Sequence, residues 1–228
     1  MMKRCALIRH GAYEQLKNVP SALQPYPLTE AGEEEVRQQA REFASWLKAN
    51  GAQLDPIIDS STLLRAWQTA EIYRQELSEF FSEPAQINSY AGLCERSVGA
   101  VANLDLAEIE RIIELDPRYS TPPENWKSMS TYKLPFDGAE SLLDAGERVA
   151  NHLRSWHQQA GNDIKLIVGH GASIRHAAYH LEIISLSDIK KLSMFYGHPV
   201  VFAFADDLSA SGPIYGQWKQ RQAQDVPD

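Results

Sequence analysis

Short apolar runs alternate along the chain with longer stretches in which apolar residues return every three or four positions. Runs of three to five suit strands buried on both faces, whereas the longer period marks helices that bury one stripe. The runs at 5–8, 56–58, 164–168 and 200–204 therefore read as strands. Val36, Ala40, Phe43, Ala44 and Leu47 form a helical stripe, with Thr29 a fitting N-cap and Asn50-Gly51 a fitting stop. Leu64, Trp67, Leu77 and Phe81 mark a second helix after Ser60-Ser61-Thr62, and Leu142, Ala145, Val149, Leu153 and Trp156 mark a third. The third opens at Ser141, with Asp144 placed as its capping-box partner. This alternation predicts an α/β fold, a three-layer, doubly wound, mostly parallel sheet with helices on both faces. A chain of 228 residues fits one such domain.

Segment 96–137 breaks the plan. It carries Pro117, Pro122, Pro123 and Pro135 with one helical stretch, near 104–115, and reads as an inserted lid segment over an edge of the sheet. Its Tyr119, Trp126 and Tyr132 either line a substrate pocket or form the insertion's own small core, the second being the commoner outcome. The tail from 217 to 228 is polar enough to fray.

Composition narrows the function classes. A hydrophobic fraction of 43% and a charged fraction of 23% belong to a globular chain. No run approaches the roughly 20 apolar residues of a membrane span, and Met1-Met2-Lys3-Arg4 leads into a stretch too short for a signal peptide, so a cytoplasmic location is expected. A net charge of −8 without a basic stripe argues against nucleic acid, so any anionic ligand must be met by a local field. Cys5 and Cys94 lack disulfide or metal spacing and read as reduced, structural thiols.

The informative residues follow the strands. Strand one ends in Arg9-His10-Gly11, strand two in Ser60-Ser61 with Arg65 one helical turn later, and the late strand in Gly169-His170-Gly171. In an open parallel sheet the carboxyl ends share one edge, where ligands bind. Two histidines and two arginines would thus meet there, a set that suits a phosphoryl group. Arg9 and Arg65 offer permanently charged forks for phosphate oxygens. Gly11 and Gly171 let backbone come close, and a helix starting at Gly171 would aim free N–H groups at the anion. A neutral His10 could attack phosphorus, and His170 could donate to a phosphoryl oxygen.

These residues resemble the histidine phosphatase superfamily, also called phosphoglycerate mutase-like. Leu7-Ile8-Arg9-His10-Gly11 is similar to its signature, Ser61-Thr62-Leu63-Leu64-Arg65-Ala66-Trp67-Gln68-Thr69-Ala70 to its second motif, and Val168-Gly169-His170-Gly171 to its last. Pro27-Leu28-Thr29-Glu30-Ala31-Gly32 resembles the stretch before the first long helix. The resemblance implies a phosphomonoesterase working through a phosphohistidine on His10. It also implies a proton donor and acceptor at Glu95, because Leu93-Cys94-Glu95-Arg96 is similar to the family's Leu-x-Glu-Arg. The implied substrate is a phosphorylated small molecule, with no cofactor and no metal.

The chain departs from the family where Glu-Ser or Glu-Thr and a later Asn usually stand: Ala12, Tyr13 and Leu16 are found instead. A Trp-Asn pair typical of the mutases is absent too, which favours a phosphatase over a glycolytic mutase. Tyr13 resembles members that dephosphorylate phosphoproteins, so a protein phosphatase is the leading enzymatic alternative, and a binding member that has lost catalysis is another. Gly138-Ala139-Glu140-Ser141 is similar to a Gly-Glu-Ser motif with one residue inserted. Arg111, Arg118, Lys127 and Lys133 could recognise distal groups, though solvation is commoner. His176 and His180 lie four apart, but Ala177 stands where a zincin needs Glu. His152, His157 and His198 read as surface or structural. The arginine that a cysteine phosphatase needs six positions after its nucleophile is Ala100 after Cys94 and Gly11 after Cys5, and no Walker-type loop is present.

Overall fold

The computed structural model describes residues 2–20, 23–159, 161 and 163–221. In chain order the elements are β1 (Lys3–Arg9), α1 (Glu30–Ala49), β2 (Ile57–Ser61), α2 (Leu64–Glu76), β3 (Gln86–Tyr90), α3 (Leu106–Leu115), α4 (Leu142–His157), β4 (Lys165–Gly169), α5 (Gly171–His180), α6 (Leu186–Ile189), β5 (Leu192–Ser193), β6 (Pro199–Phe204), β7 (Pro213–Tyr215) and β8 (Lys219–Gln220). The main sheet runs β3-β2-β4-β1-β6-β7. Its first four strands are mutually parallel, and β6 and β7 each run antiparallel to the neighbour before them.

Alternation along the strands divides the core between two faces. Ala6, Ile8, Leu166 and Val168 pack with Val36, Phe43 and Leu47 of α1 and Ala66, Ala70 and Tyr73 of α2. Leu7, Ile167, Val200 and Phe202 pack on the other side with Val149, Leu153 and Trp156 of α4 and Ile174 and Ala177 of α5. A third cluster lies within the insertion, built from Val98, Val101, Ile109, Ile113, Trp126 and Leu134.

The caps form as the sequence suggests. Thr29 Oγ1 accepts from the Gly32 N–H, and Ser141 and Asp144 close a full capping box on α4. The second helix differs from the expectation. Leu64 and Trp67 are exposed, the buried stripe is Arg65, Ala66, Thr69, Ala70, Ile72 and Tyr73, and α2 ends at Glu76, before Leu77 and Phe81. The helix turns inward a stripe that includes Arg65 and Thr69, because the strand ends supply hydrogen-bond partners for both. Strand β2 likewise runs to Ser61, since Asp59 is paired with Lys165 at 3.0 Å and His152 at 2.8 Å inside the sheet. At the C-terminal end, β8 pairs with β5 and Trp218 packs on the second core face, so 217–221 is ordered, and 222–228 lies outside the described residues. Among the described residues no helix is long and apolar enough to cross a membrane.

Candidate active site

Strand register assembles the site. Arg9 pairs with Gly169 across β1 and β4, so His10 and His170 leave adjacent strand ends side by side, their ring centroids 5.0 Å apart. Ser60 pairs with Val168, which sets Ser61 next to the same edge. Because β6 is antiparallel, with Pro199 opposite Ile8, the loop before it also arrives there, and the Gly197 N–H donates to the Arg9 carbonyl.

The hydrogen bonds define the tautomers. His10 Nδ1 lies 2.7 Å from the Gly11 carbonyl, which only accepts, so Nδ1 carries the proton. Arg65 Nε donates to His10 Nε2 at 3.2 Å, which leaves that nitrogen as the lone-pair end of a neutral imidazole. Arg65 also donates through Nη2 to His170 Nδ1 at 3.3 Å and through Nη1 to the Gln24 carbonyl at 2.8 Å. His170 Nε2 then donates to Ser61 Oγ at 2.9 Å. Burial, followed by the charge of Arg65, pushes His170 well below the ordinary histidine value.

Glu95 sits where the sequence placed an open anion site. Its carboxylate accepts from the N–H groups of Ala172 and Ser173 at the start of α5, at 3.2 and 3.0 Å, and from its neighbour Arg96 at 2.9 Å. The helix terminus is thus capped by a protein carboxylate rather than left free for a ligand, a correction to the role expected of those N–H groups. Arg148, paired with Glu140 at 2.8 Å, grips the segment carrying Glu95 through the carbonyls of Gly92 and Cys94.

Arg9 bonds the Met194 carbonyl at 3.0 Å and lies over the Tyr196 ring, 3.9 Å from its centroid. Gly171 backs it: a Cβ there would come within 3.0 Å of Arg9 Cδ and Nε. Gly11 does a different job from the one expected. Its N–H is taken by Thr69 Oγ1 at 3.0 Å, and its missing side chain admits Val36 of α1, whose Cγ2 a Cβ would meet at 2.7 Å. Arg9, His10, Arg65 and Glu95 line one cavity of about 550 Å³, and Tyr13, Gln15, Leu16, Lys17, Asn18, Val19, Leu106, Lys127 and Tyr196 complete its wall.

Comparison with known proteins identifies the chain. Residues 5–210 match the model of the histidine phosphatase superfamily, branch 1. The chain belongs to that superfamily. It is 30% identical to the 2,3-bisphosphoglycerate-dependent phosphoglycerate mutase of Mannheimia succiniciproducens, over 91% of this chain and 97% of that one. Among solved structures, phosphoglycerate mutase from Bacillus anthracis superposes with a TM-score of 0.70 at 16% identity, covering 92% of each chain. A mycobacterial glucosyl-3-phosphoglycerate phosphatase superposes with a TM-score of 0.64 at 18% identity, covering 96% of this chain and 97% of that one. These two likenesses establish the fold, and the structures carry mutase and phosphatase names in turn.

Within this histidine phosphatase chain, the candidates gather unevenly. Gly11, Gly171 and His170 stand behind the cavity wall rather than in it. Tyr119, Trp126 and Tyr132 belong to the insertion's own core, while its Leu106 and Lys127 reach the cavity. Arg111 and Arg118 pair with Glu108 and Asp116. His176 is held by Ser130 and the Ala172 carbonyl, and His180 by Glu147 and the Leu143 carbonyl. Sequence reasoning missed Tyr196, Ser61 as the partner of His170, and Gln24. The buried Gln24 amide accepts from the Leu16 N–H and donates to the carbonyls of Leu16, Val19 and Pro20.

Proposed function

We propose that this chain hydrolyses small phosphomonoesters in two steps through a phosphohistidine on His10. The observation that carries the reading is the tautomer: Nδ1 is spent on Gly11, so Nε2 presents its lone pair beside two guanidinium groups in one cavity. In the first step Nε2 attacks phosphorus while Arg65 turns from the two rings to phosphoryl oxygens. Glu95, in the same cavity, protonates the departing oxygen. In the second step Glu95 takes a proton from a water whose oxygen attacks phosphorus, the P–Nε2 bond breaks, and phosphate leaves with His10 restored. Arg9 and Arg65 neutralise charge as it spreads over the equatorial oxygens, and His170, behind the wall and fixed by Ser61, sets the resting position of Arg65. A cavity of about 550 Å³ is the size of a small-molecule site, which favours a small ester over a phosphoprotein.

Brief exposure to labelled substrate is expected to trap an acid-labile phosphohistidine on the wild-type chain and none on His10→Ala. Retained turnover in a folded His10→Ala would mean the nucleophile is misassigned. Assaying 3-phosphoglycerate with 2,3-bisphosphoglycerate beside a panel of sugar phosphates, nucleotides, phospho-acids and phosphopeptides separates hydrolysis from mutase activity and names the substrate.

A further inference from the structure

Tyr13 lines the cavity, and its phenol has no part in these steps. Its residue leaves the β1 edge and makes a single bridge to Leu28. The ring is held on two sides, with the Arg65 guanidinium 4.5 Å from its centroid and the His10 ring edge-on at 5.3 Å. Tyr13 is therefore built against the nucleophile and a phosphate-binding cation at once. The side chain is buried, and among the described residues its hydroxyl meets no hydrogen-bond partner. Burying an unpaired hydroxyl destabilises the free protein, so such a group in a ligand cavity marks a place where the ligand completes the bond.

The chemistry of that ligand follows from its surroundings. Arg9 and Arg65 repel cations, and a phenol that keeps its proton adds a donor without adding charge. Burial pushes the Tyr13 phenol up to about 12, so it holds that proton at neutral pH. The geometry points to a hydrogen bond from the Tyr13 hydroxyl to a non-bridging phosphoryl oxygen of the substrate, which makes Tyr13 a further catalytic residue; this rests on the phosphoryl-transfer reading of the same cavity. Because the oxygen belongs to the phosphoryl group, the contact is common to every substrate.

Tyr13→Phe keeps the ring and its contacts and removes only the hydroxyl. Its Kd for inorganic phosphate is expected to rise about 10-fold to 100-fold, the range for a hydrogen bond to a charged acceptor. Its kcat/KM is expected to fall by a similar factor for an aryl phosphate and a sugar phosphate alike. Without ligand, its Tm is expected to hold or rise by about 2–4 °C, because an unpaired buried group is gone. Unchanged phosphate affinity overturns the assignment, and so does a loss confined to one ester. If the variant fails to fold, the wild-type chain still decides: saturation with inorganic phosphate shifts the Tyr13 hydroxyl proton downfield in NMR spectra, and no shift overturns the contact. A wild-type chain that binds phosphate but forms no phosphohistidine overturns the reaction scheme while leaving the Tyr13 contact to be judged on binding.

Discussion

Arg65 donates through Nε to the Nε2 of His10 at 3.2 Å. A guanidinium has no lone pair to offer, so this bond exists only while His10 is unprotonated at Nε2. In the proposed scheme the residue that would grip phosphate therefore also keeps His10 in the form able to attack. Lysine brings a charge but cannot span His10, His170 and the Gln24 carbonyl together. Arg65→Lys is expected to lower kcat/KM by about 10²-fold to 10³-fold while the chain still folds. Steady-state kinetics on an aryl phosphate, with circular dichroism as control, checks this, and activity within threefold of wild type would sink the coupling.

The role proposed for Glu95 separates acid catalysis from binding. Glu95→Gln keeps the bulk of the cap on α5 but cannot deliver a proton to a leaving alkoxide. A sugar phosphate, whose alkoxide leaves poorly, should lose about 10²-fold to 10⁴-fold in kcat. An aryl phosphate, whose phenolate leaves unaided, should lose far less in the first step, and a burst of phenol should appear before slow turnover. Equal losses for both substrates with no burst would remove Glu95 from the proton path.

How much of this was legible depends on the kind of signal. Arg9-His10 and Gly169-His170 follow apolar runs, so strand-end logic places them together without coordinates. Tyr196 escapes because its approach depends on β6 running antiparallel to β1, a direction that an isolated run at 200–204 does not encode. Strand β3 escapes because Gln86-Ile87-Asn88-Ser89-Tyr90 is an exposed polar edge that owes its pairing to β2. The misread face of α2 has the same root: a pattern that counts apolar residues skips Arg65 and Thr69, whose burial is driven by hydrogen bonds at the site. The capture of the α5 terminus by Glu95 joins loops 77 positions apart and has no local signature at all.

Gly171 tests how tightly Arg9 is placed. A methyl group there would crowd Arg9 Cδ and Nε at 3.0 Å and Cζ at 3.2 Å, while the helical backbone accepts alanine without strain. Gly171→Ala should push the guanidinium aside by a few tenths of an ångström and raise KM and the inhibition constant of inorganic phosphate by roughly 10-fold, with little change in Tm. A variant with normal phosphate inhibition would show that Arg9 is not fixed by this contact.

In the proposed scheme the phosphoryl charge is met by the guanidinium groups of Arg9 and Arg65, which donate hydrogen bonds and cannot coordinate a metal ion. Hydrolysis of an aryl phosphate should therefore survive exhaustive chelation with less than a twofold change. Full inhibition that returns with a divalent cation would overturn the scheme of metal-free transfer.

Two buried histidines give the fold an acid limit. Burial, then Arg65, holds His170 well below the ordinary 6.5, and burial, against a hydrogen bond to Ala172, holds His176 down at about 4, with Arg175, His180 and Arg221 pushing the same way. Both stay neutral in the folded chain while the unfolded chain takes up protons below about 6.5. Unfolding then binds protons, so stability falls as the pH drops from about 6.5 toward 4, by up to about 1.4 kcal/mol per pH unit for each ring. Above 6.5 neither ring contributes a slope. His176→Gln removes one of the two protons from this balance without touching the cavity, and urea midpoints measured across that window should show a shallower dependence by close to one proton. An unchanged slope would mean that His176 titrates alike in both states, and the neutral ring between Ser130 and Ala172 would have to be abandoned.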